Sequence, residues 1–415
     1  MELVTLSKKE FDAVALKGEI TNFQQSSNWG RFMDGDIFHA YYVGGKVKGK
    51  IVAVTLLLAK EIKFFKERIF YAPRGFIIDY KNKELLNEFT NQIKKFVKEK
   101  KGIMLKIDPY VPLNIRDENK MIIKGDISNQ YIIDNLLECG YIEANKNIQP
   151  KFISRINLKE NNLDDVFNNF SSKARQIIRR NEKLGFKVKK LDFEEITKLI
   201  DLINQKEGSK YKVKPTIDFY RDLHQAFGDN LKLMGCYFNK KMVTNNISKM
   251  IDEIQKGKED RIGNYQNSKM TADYFIAKEE DYDKDILRLN SLLDYFNNCN
   301  DEEILMSIGL YIIVGNEVLL KDSGSYFEYK KFDASYTLNY EMIKYASING
   351  YTYYNLYNVG NILSANNNLE KAYLYKKNFE KNVTQLIGEF DLVIDKNKHF
   401  LAKLCFPQYL GINSY

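Results

Sequence analysis

Lys371-Ala372-Tyr373-Leu374-Tyr375-Lys376-Lys377-Asn378-Phe379-Glu380-Lys381 runs, five residues on, into Ile387-Gly388-Glu389-Phe390-Asp391-Leu392-Val393-Ile394. Four cations, Lys371, Lys376, Lys377 and Lys381, stand ahead of a strand-like run, and Tyr373, Tyr375 and Phe379 interleave with them. A lysine held among aromatic rings is partly desolvated, so its charge acts strongly on a nearby reacting oxygen. A basic loop leading into a packed strand is the plain alternative. The residues alone leave both readings open.

Upstream, one order of elements occurs twice. Residues 36–59 read as a hairpin, Ile37–Val43 and Ile51–Leu58 joined at Gly44-Gly45. The turn-like Tyr71-Ala72-Pro73-Arg74-Gly75-Phe76 follows. Residues 83–100 form an amphipathic helix with Leu85, Leu86, Phe89, Ile93, Phe96 and Val97 on one face. A short strand, Ile103–Ile107, ends at Asp108-Pro109-Tyr110. Later, Leu231–Phe238, Ile304–Val314 and Val318–Lys321 read as strands, residues 335–347 as a helix and Tyr353–Tyr357 as a strand. Strands, loop, helix, strand therefore appears twice, with negligible residue identity between the copies.

The second copy is interrupted by two helical patterns, Met242–Gln255 and about 281–296, around the polar segment Gly257–Gly263. These read as an antiparallel helical hairpin or as two surface helices folded back on the sheet. Residues 163–185 carry an apolar face (Val166, Phe167, Phe170, Ala174, Ile177, Ile178) and a basic one (Lys173, Arg175, Arg179, Arg180, Lys183). That basic face fits phosphate binding, or simply a solvated helix surface.

The chain has 415 residues, enough for two or three domains, and a hydrophobic fraction of 44% supports folded cores. Net charge is +8, which suits a nucleic acid, a phosphorylated substrate or an anionic membrane face without selecting one. Cys139, Cys236, Cys299 and Cys405 show no CxxC spacing, against a zinc or disulfide scaffold and in keeping with a reducing cytoplasm. Three histidines and no HExxH pattern argue against a metal hydrolase. The first residues lack a signal peptide's basic and apolar regions, and the longest apolar run, Ile51–Ala59, is too short to span a bilayer. These features predict a cytoplasmic protein, at most peripheral to the membrane face, with no cofactor or metal.

Several segments together resemble the Fem family of peptidoglycan interpeptide-bridge aminoacyltransferases. They are Phe23-Gln24-Gln25-Ser26-Ser27-Asn28-Trp29-Gly30, Tyr71-Ala72-Pro73-Arg74-Gly75 and Leu105-Lys106-Ile107-Asp108-Pro109-Tyr110-Val111. Ile148-Gln149-Pro150, Ser171–Arg179 and Tyr375-Lys376-Lys377 leading into Ile387–Asp391 complete the series. The resemblance implies an α/β (α+β) chain of two tandem acyl-CoA N-acyltransferase-like (GNAT-like) domains with an inserted antiparallel coiled-coil arm. The first domain would span 1–147, completed by 384–415. The second would span 148–241 and 301–383, with the arm at 242–300.

It also implies transfer of an amino acid from an aminoacyl-tRNA to a stem-peptide amino group of a peptidoglycan precursor, lipid-linked or UDP-linked. By similarity, Lys376 would stabilise the oxyanion and leaving group, with Tyr375 beside it. Asp108 would orient or deprotonate the amine, although Asp-Pro after a strand is also an ordinary turn. Trp29, Arg31, Arg74 and Lys214 would bind substrate. On their charge, Lys173, Arg175 and Arg179 would contact tRNA, and so would Lys256 and Lys258 by analogy with the helical hairpins of some synthetases, although an arm used for dimer contacts would look the same. The chain departs from the family pattern at Met33, where a lysine is usual and Arg31 is the substitute, and at Lys214, where an arginine is usual. The loop Tyr357-Asn358-Val359-Gly360 is poorer in glycine than the family's. These departures keep a second class open: a non-catalytic or immunity-type relative that binds precursor or tRNA. An acyl-CoA-dependent acetyltransferase fits less well, because neither copy carries a Gly-rich pyrophosphate loop.

Overall fold

Local chemistry starts the helices where the sequence pattern places them. In the helix Lys83–Glu99, the Asn82 side chain accepts from the Leu85 amide, and Leu86, Phe89, Ile93 and Val97 are buried against the neighbouring sheet. Each contributes roughly 1.5–3 kcal/mol of burial. Its counterpart, Ala334–Ile348, buries Leu338, Met342, Ile343 and Ala346, and Gly350, in the left-handed region, follows its end. The computed structural model describes residues 1–18, 21–62, 65–145, 147–159, 161–205, 215–265, 272–367 and 369–405.

The strands are β1 (Glu2–Thr5), β2 (Phe38–Val47), β3 (Lys50–Glu61), β4 (Arg68–Ala72), β5 (Gly102–Ile107), β6 (Pro112–Arg116), β7 (Ile142–Glu143) and β8 (Phe152–Asn157). They continue with β9 (Lys187–Lys190), β10 (Leu231–Asn239), β11 (Glu303–Val314), β12 (Glu317–Ser325), β13 (Tyr353–Asn358), β14 (Val383–Leu386) and β15 (Phe390–Val393). One sheet has the order β1-β2-β3-β4-β5-β15-β7 and the other β6-β14-β8-β13-β12-β11-β10-β9. In each, an antiparallel pair leads to a strand that runs parallel to the one after the helix: β4 with β5, and β12 with β13. The repeated order in the sequence is thus a repeated pairing in space.

Four expectations change. Residues 163–185 form two helices, Leu163–Asn169 and Ser172–Leu184, parted at Phe170-Ser171, and the polar segment 257–263 lies within the helix Lys240–Tyr265. The first hairpin turns at Lys48-Gly49, both with positive φ. Gly44 and Gly45 lie inside β2, where a Cβ would strike Leu6 at 2.8 Å and the Met1 sulfur at 2.5 Å. They are glycine for close packing. The run Ile387–Ile394 is not a single strand either. The chain leaves the second sheet at Leu386 and enters the first at Phe390, crossing at Ile387–Glu389 with Gly388 at φ 100°. β6 likewise sits in the second sheet, so the sheets exchange strands in both directions.

The helix Ser27–Met33 packs on Ile217–Phe227 through an edge contact of Phe32 on Phe219, centroids 5.4 Å apart, which ties the two halves together. The helices Lys240–Tyr265 and Ala272–Asn297 pack against each other and are longer than the periodicity suggested. Val243, Ile247, Ile251, Leu289 and Phe296 bury their base in the second half's core. No helix among the described residues is long and apolar enough to cross a membrane.

Candidate active site

Strand alternation puts Lys106 and Asp108 on one face at the end of β5. The antiparallel register, Phe390 opposite Ile107 and Asp391 opposite Lys106, puts Glu389 and Asp391 on the strand beside them. Extending that register by one residue sets Glu389 opposite Asp108. Lys106 Nζ lies 2.6 Å from Asp391 Oδ1 and 3.6 Å from Glu389 Oε2. Glu389 Oε1 accepts from the amides of Ile148 and, at 2.7 Å, Gln149. Asp108 Oδ1 accepts the Arg74 amide at 2.5 Å, while Arg74 Nε stands 3.6 Å from Oδ2, an ion pair too long for a hydrogen bond.

This row is dry: Asp108 and Glu389 are 1% and 3% exposed. Burial pushes the Asp108 carboxyl up to about 7; Arg74 opposes that rise and the Glu389 charge adds to it. Burial raises Glu389 in the same direction. Two like charges side by side in low dielectric resist being ionised together. Asp108 Oδ2 and Glu389 Oε2 are buried and make no hydrogen bond within the described residues. The seam therefore offers an acceptor that titrates near neutrality, as proton transfer from an ammonium requires.

Lys376 approaches from the other half. It ends the helix Glu370–Lys376, is half-buried, and donates through Nζ to the Asn358 carbonyl at 2.7 Å. The carbonyl is presented by a turn in which Tyr357 has φ 64°. The Tyr357 hydroxyl donates to Gln149 Oε1 at 3.2 Å, and the Gln149 amide in turn donates to Glu389. One chain of contacts thus joins the lysine to the carboxylates. Arg74, whose φ is 55°, faces Tyr357 across the seam, donates to the Pro150 carbonyl at 3.0 Å and lies over the Tyr110 ring.

The other residues singled out from the sequence are more dispersed. Tyr375 turns into the core: its hydroxyl accepts from Asn339 at 2.9 Å and its ring packs on Tyr336 and Phe379. Adjacent helix residues point about 100° apart, so Lys376 and Tyr375 do not share a face. Trp29 is buried among Phe23 and Phe32, and Arg31 is exposed on the same short helix. Lys214 lies outside the described residues. Arg175 donates to the Asn168 and Phe170 carbonyls and Arg179 covers the Phe167 ring, so both brace the helix Leu163–Asn169. Lys173 and Lys256 are exposed, and Lys258 is paired across the helical pair with Glu279 and Asp283.

Sequence reading missed Glu389 and Glu317. The first stands within the opening stretch, but only the register reveals its partner. Glu317, 3% exposed, accepts from the Tyr110 hydroxyl at 3.1 Å and from Asn355 at 3.1 Å, a second buried polar knot between the halves.

The chain is thus a mixed α/β protein of two strand-exchanging sheets, with an acid, its carboxylate neighbour and, by a chain of contacts, a lysine along their seam. The chain belongs to the FemAB family, whose model matches residues 6–405. It is 25% identical over 418 residues to the aminoacyltransferase FemA of Staphylococcus epidermidis, covering 95% of this chain and 97% of that protein. It is 24% identical over 415 residues to FemA of Staphylococcus aureus, covering 95% and 96%. The crystal structure of FemX superposes with a TM-score of 0.78 at 21% identity, over 98% of this chain and 100% of that one. That likeness shows the shared fold.

Proposed function

We propose that this chain moves an aminoacyl group from an aminoacyl-tRNA to a stem-peptide amino group of a lipid-linked peptidoglycan precursor. The observation that carries the reading is the buried Asp108–Glu389 pair, linked through Tyr357-Asn358 to Lys376. The incoming ammonium loses its proton to Asp108, and the neutral amine attacks the ester carbonyl. Lys376 stabilises the oxyanion of the tetrahedral intermediate. The new C–N bond forms as the C–O bond to the ribose breaks; the ribose oxygen leaves with a proton from Lys376, the amine's second proton restores the Lys376 ammonium, and the proton held by Asp108 passes to water. An ester becomes an amide, which is downhill and needs no nucleotide hydrolysis.

In this reading the two halves are tandem GNAT-like domains and the helical pair is a coiled-coil arm. Arg74, Trp29 and Arg31 support acceptor binding, and Lys214, outside the described residues, is assigned to the same task by resemblance alone. Lys173 and Lys256 are the exposed cations left for tRNA. The test incubates the protein with a mixed charged-tRNA pool and lipid-linked precursor and weighs the product by mass spectrometry. Replacing Lys376 by Met should cut transfer by roughly a hundredfold or more with the fold intact. Near-parental transfer by that variant, or no mass gain with the parent chain, would overturn the assignment.

A further inference from the structure

The helix Lys396–Cys405 has two unlike sides. Inward, Ala402 is fully buried in the first half's core and His399 is partly covered. Outward, Phe400 (65% exposed), Leu404 (69%) and Leu401 (46%) share one arc, with the exposed Asn397 at its N-terminal end, because residues three and four apart share a helix face. Single exposed apolar side chains are ordinary on a folded protein. Three of them in one arc of a ten-residue helix, facing away from their own core, are not.

Cations border the arc on both sides. Helical spacing stacks Lys396 and Lys403 along one edge and leaves Lys398 on the other, where it pairs with Glu67 at 2.7 Å. The exposed Ile142 lies beyond the first of those edges, in a groove that Lys396, His399 and Asp391 also line. Acidic side chains are absent from the helix itself. An apolar strip rimmed by lysines is the pattern that seats a helix in the plane of a bilayer. The rings enter the acyl boundary and the ammonium groups meet anionic headgroups. A protein partner would have to offer an apolar ridge between two acidic rails, whereas an anionic membrane supplies both by its nature.

We propose that Lys396–Cys405 is a membrane-docking helix that seats this protein on an anionic bilayer. This needs neither the acceptor nor the transfer chemistry proposed above, so it stands or falls separately from them.

The experiment co-sediments the full chain with vesicles of phosphatidylglycerol and phosphatidylcholine, and with vesicles of phosphatidylcholine alone, at low and high salt. The parent chain should partition at least about tenfold more strongly onto the anionic vesicles, and added salt should weaken that binding. The double variants Phe400→Glu/Leu404→Glu and Lys396→Glu/Lys403→Glu should each lose about tenfold or more while keeping the parent melting temperature. The lysine pair is wholly on the surface, so it reports even where the apolar pair disturbs folding. Unchanged binding by the lysine variant, or equal binding of the parent to both kinds of vesicle, overturns the proposal. So does a parent dimer in light scattering that Phe400→Glu/Leu404→Glu turns into monomer while vesicle binding persists.

Discussion

The ends of β5 and β13 are the same place in two copies of one αβ unit, yet they carry opposite equipment. After β5 the chain places Asp108, faced by Glu389 and held by Arg74. After β13 it places an uncharged turn, whose Asn358 carbonyl holds the Lys376 ammonium. The acid end is dry and crowded with like charge, so its carboxyl is pushed up. At the other end a cation is half-buried against a dipole. Repeating a topology thus did not repeat a site: one copy ends in a buried carboxyl and the other in a carbonyl that holds an ammonium, which the proposed reaction would use as proton acceptor and electrostatic support. A chain of contacts through Tyr357, Gln149 and Glu389 links the two ends, where strands β6 and β15 trade sheets.

That division is most exposed to Asp108→Asn, which keeps shape and removes the base. Transfer should fall by about 10²–10⁴-fold. The parent rate should climb as pH rises through about 7, where Asp108 ionises, and the variant should lack that limb. A variant with parental rate and profile would mean the acid end is only structural. Stability should move the opposite way. Because the folded carboxyl titrates above its unfolded range, its contribution is complete below that range and is lost as pH rises through about 7.

Arg74→Met should cost about 3–5 kcal/mol by denaturant titration above about pH 7, where the parent's Asp108 is ionised beside its cation and the variant must bury that charge unpaired or bind a proton instead. The loss should shrink in mild acid as the carboxyl takes up a proton; a pH-independent loss would point to packing instead. Tyr110→Phe tests the neighbouring knot. It deprives buried Glu317 and Asn355 of a partner and should cost about 1–3 kcal/mol. Glu389→Gln should alter the pH profile more than the maximal rate, moving the rising limb to lower pH because the like charge opposite Asp108 is gone. A limb that stays in place would show that burial and Arg74 set the Asp108 titration without Glu389.

Much of the fold was legible beforehand because its causes are local. The apolar spacing of Leu86, Phe89, Ile93 and Val97 and the Asn82 cap specify a helix wherever the chain carries them. The doubled order of elements and the candidates Lys376 and Asp108 were readable for the same reason, with the resemblance to a known family adding their roles. The glycine pair in β2 misled because Gly44-Gly45 also reads as a hairpin turn; the space taken by Leu6, Met1 and Phe89 is visible only in three dimensions. Tyr375 looked like part of the site by its place beside Lys376, but helix geometry sends the two side chains apart.

The sequence by itself determined the elements, the alternation that puts Lys106 with Asp108 and Glu389 with Asp391, and the cation ahead of the last strands. Only the tertiary structure decided that these two alternating pairs lie face to face. Register between strands nearly three hundred residues apart is set by packing and chain crossing rather than by either strand's residues. Burial raises Asp108 most, and the Glu389 charge that adds to the rise is brought there by that non-local pairing.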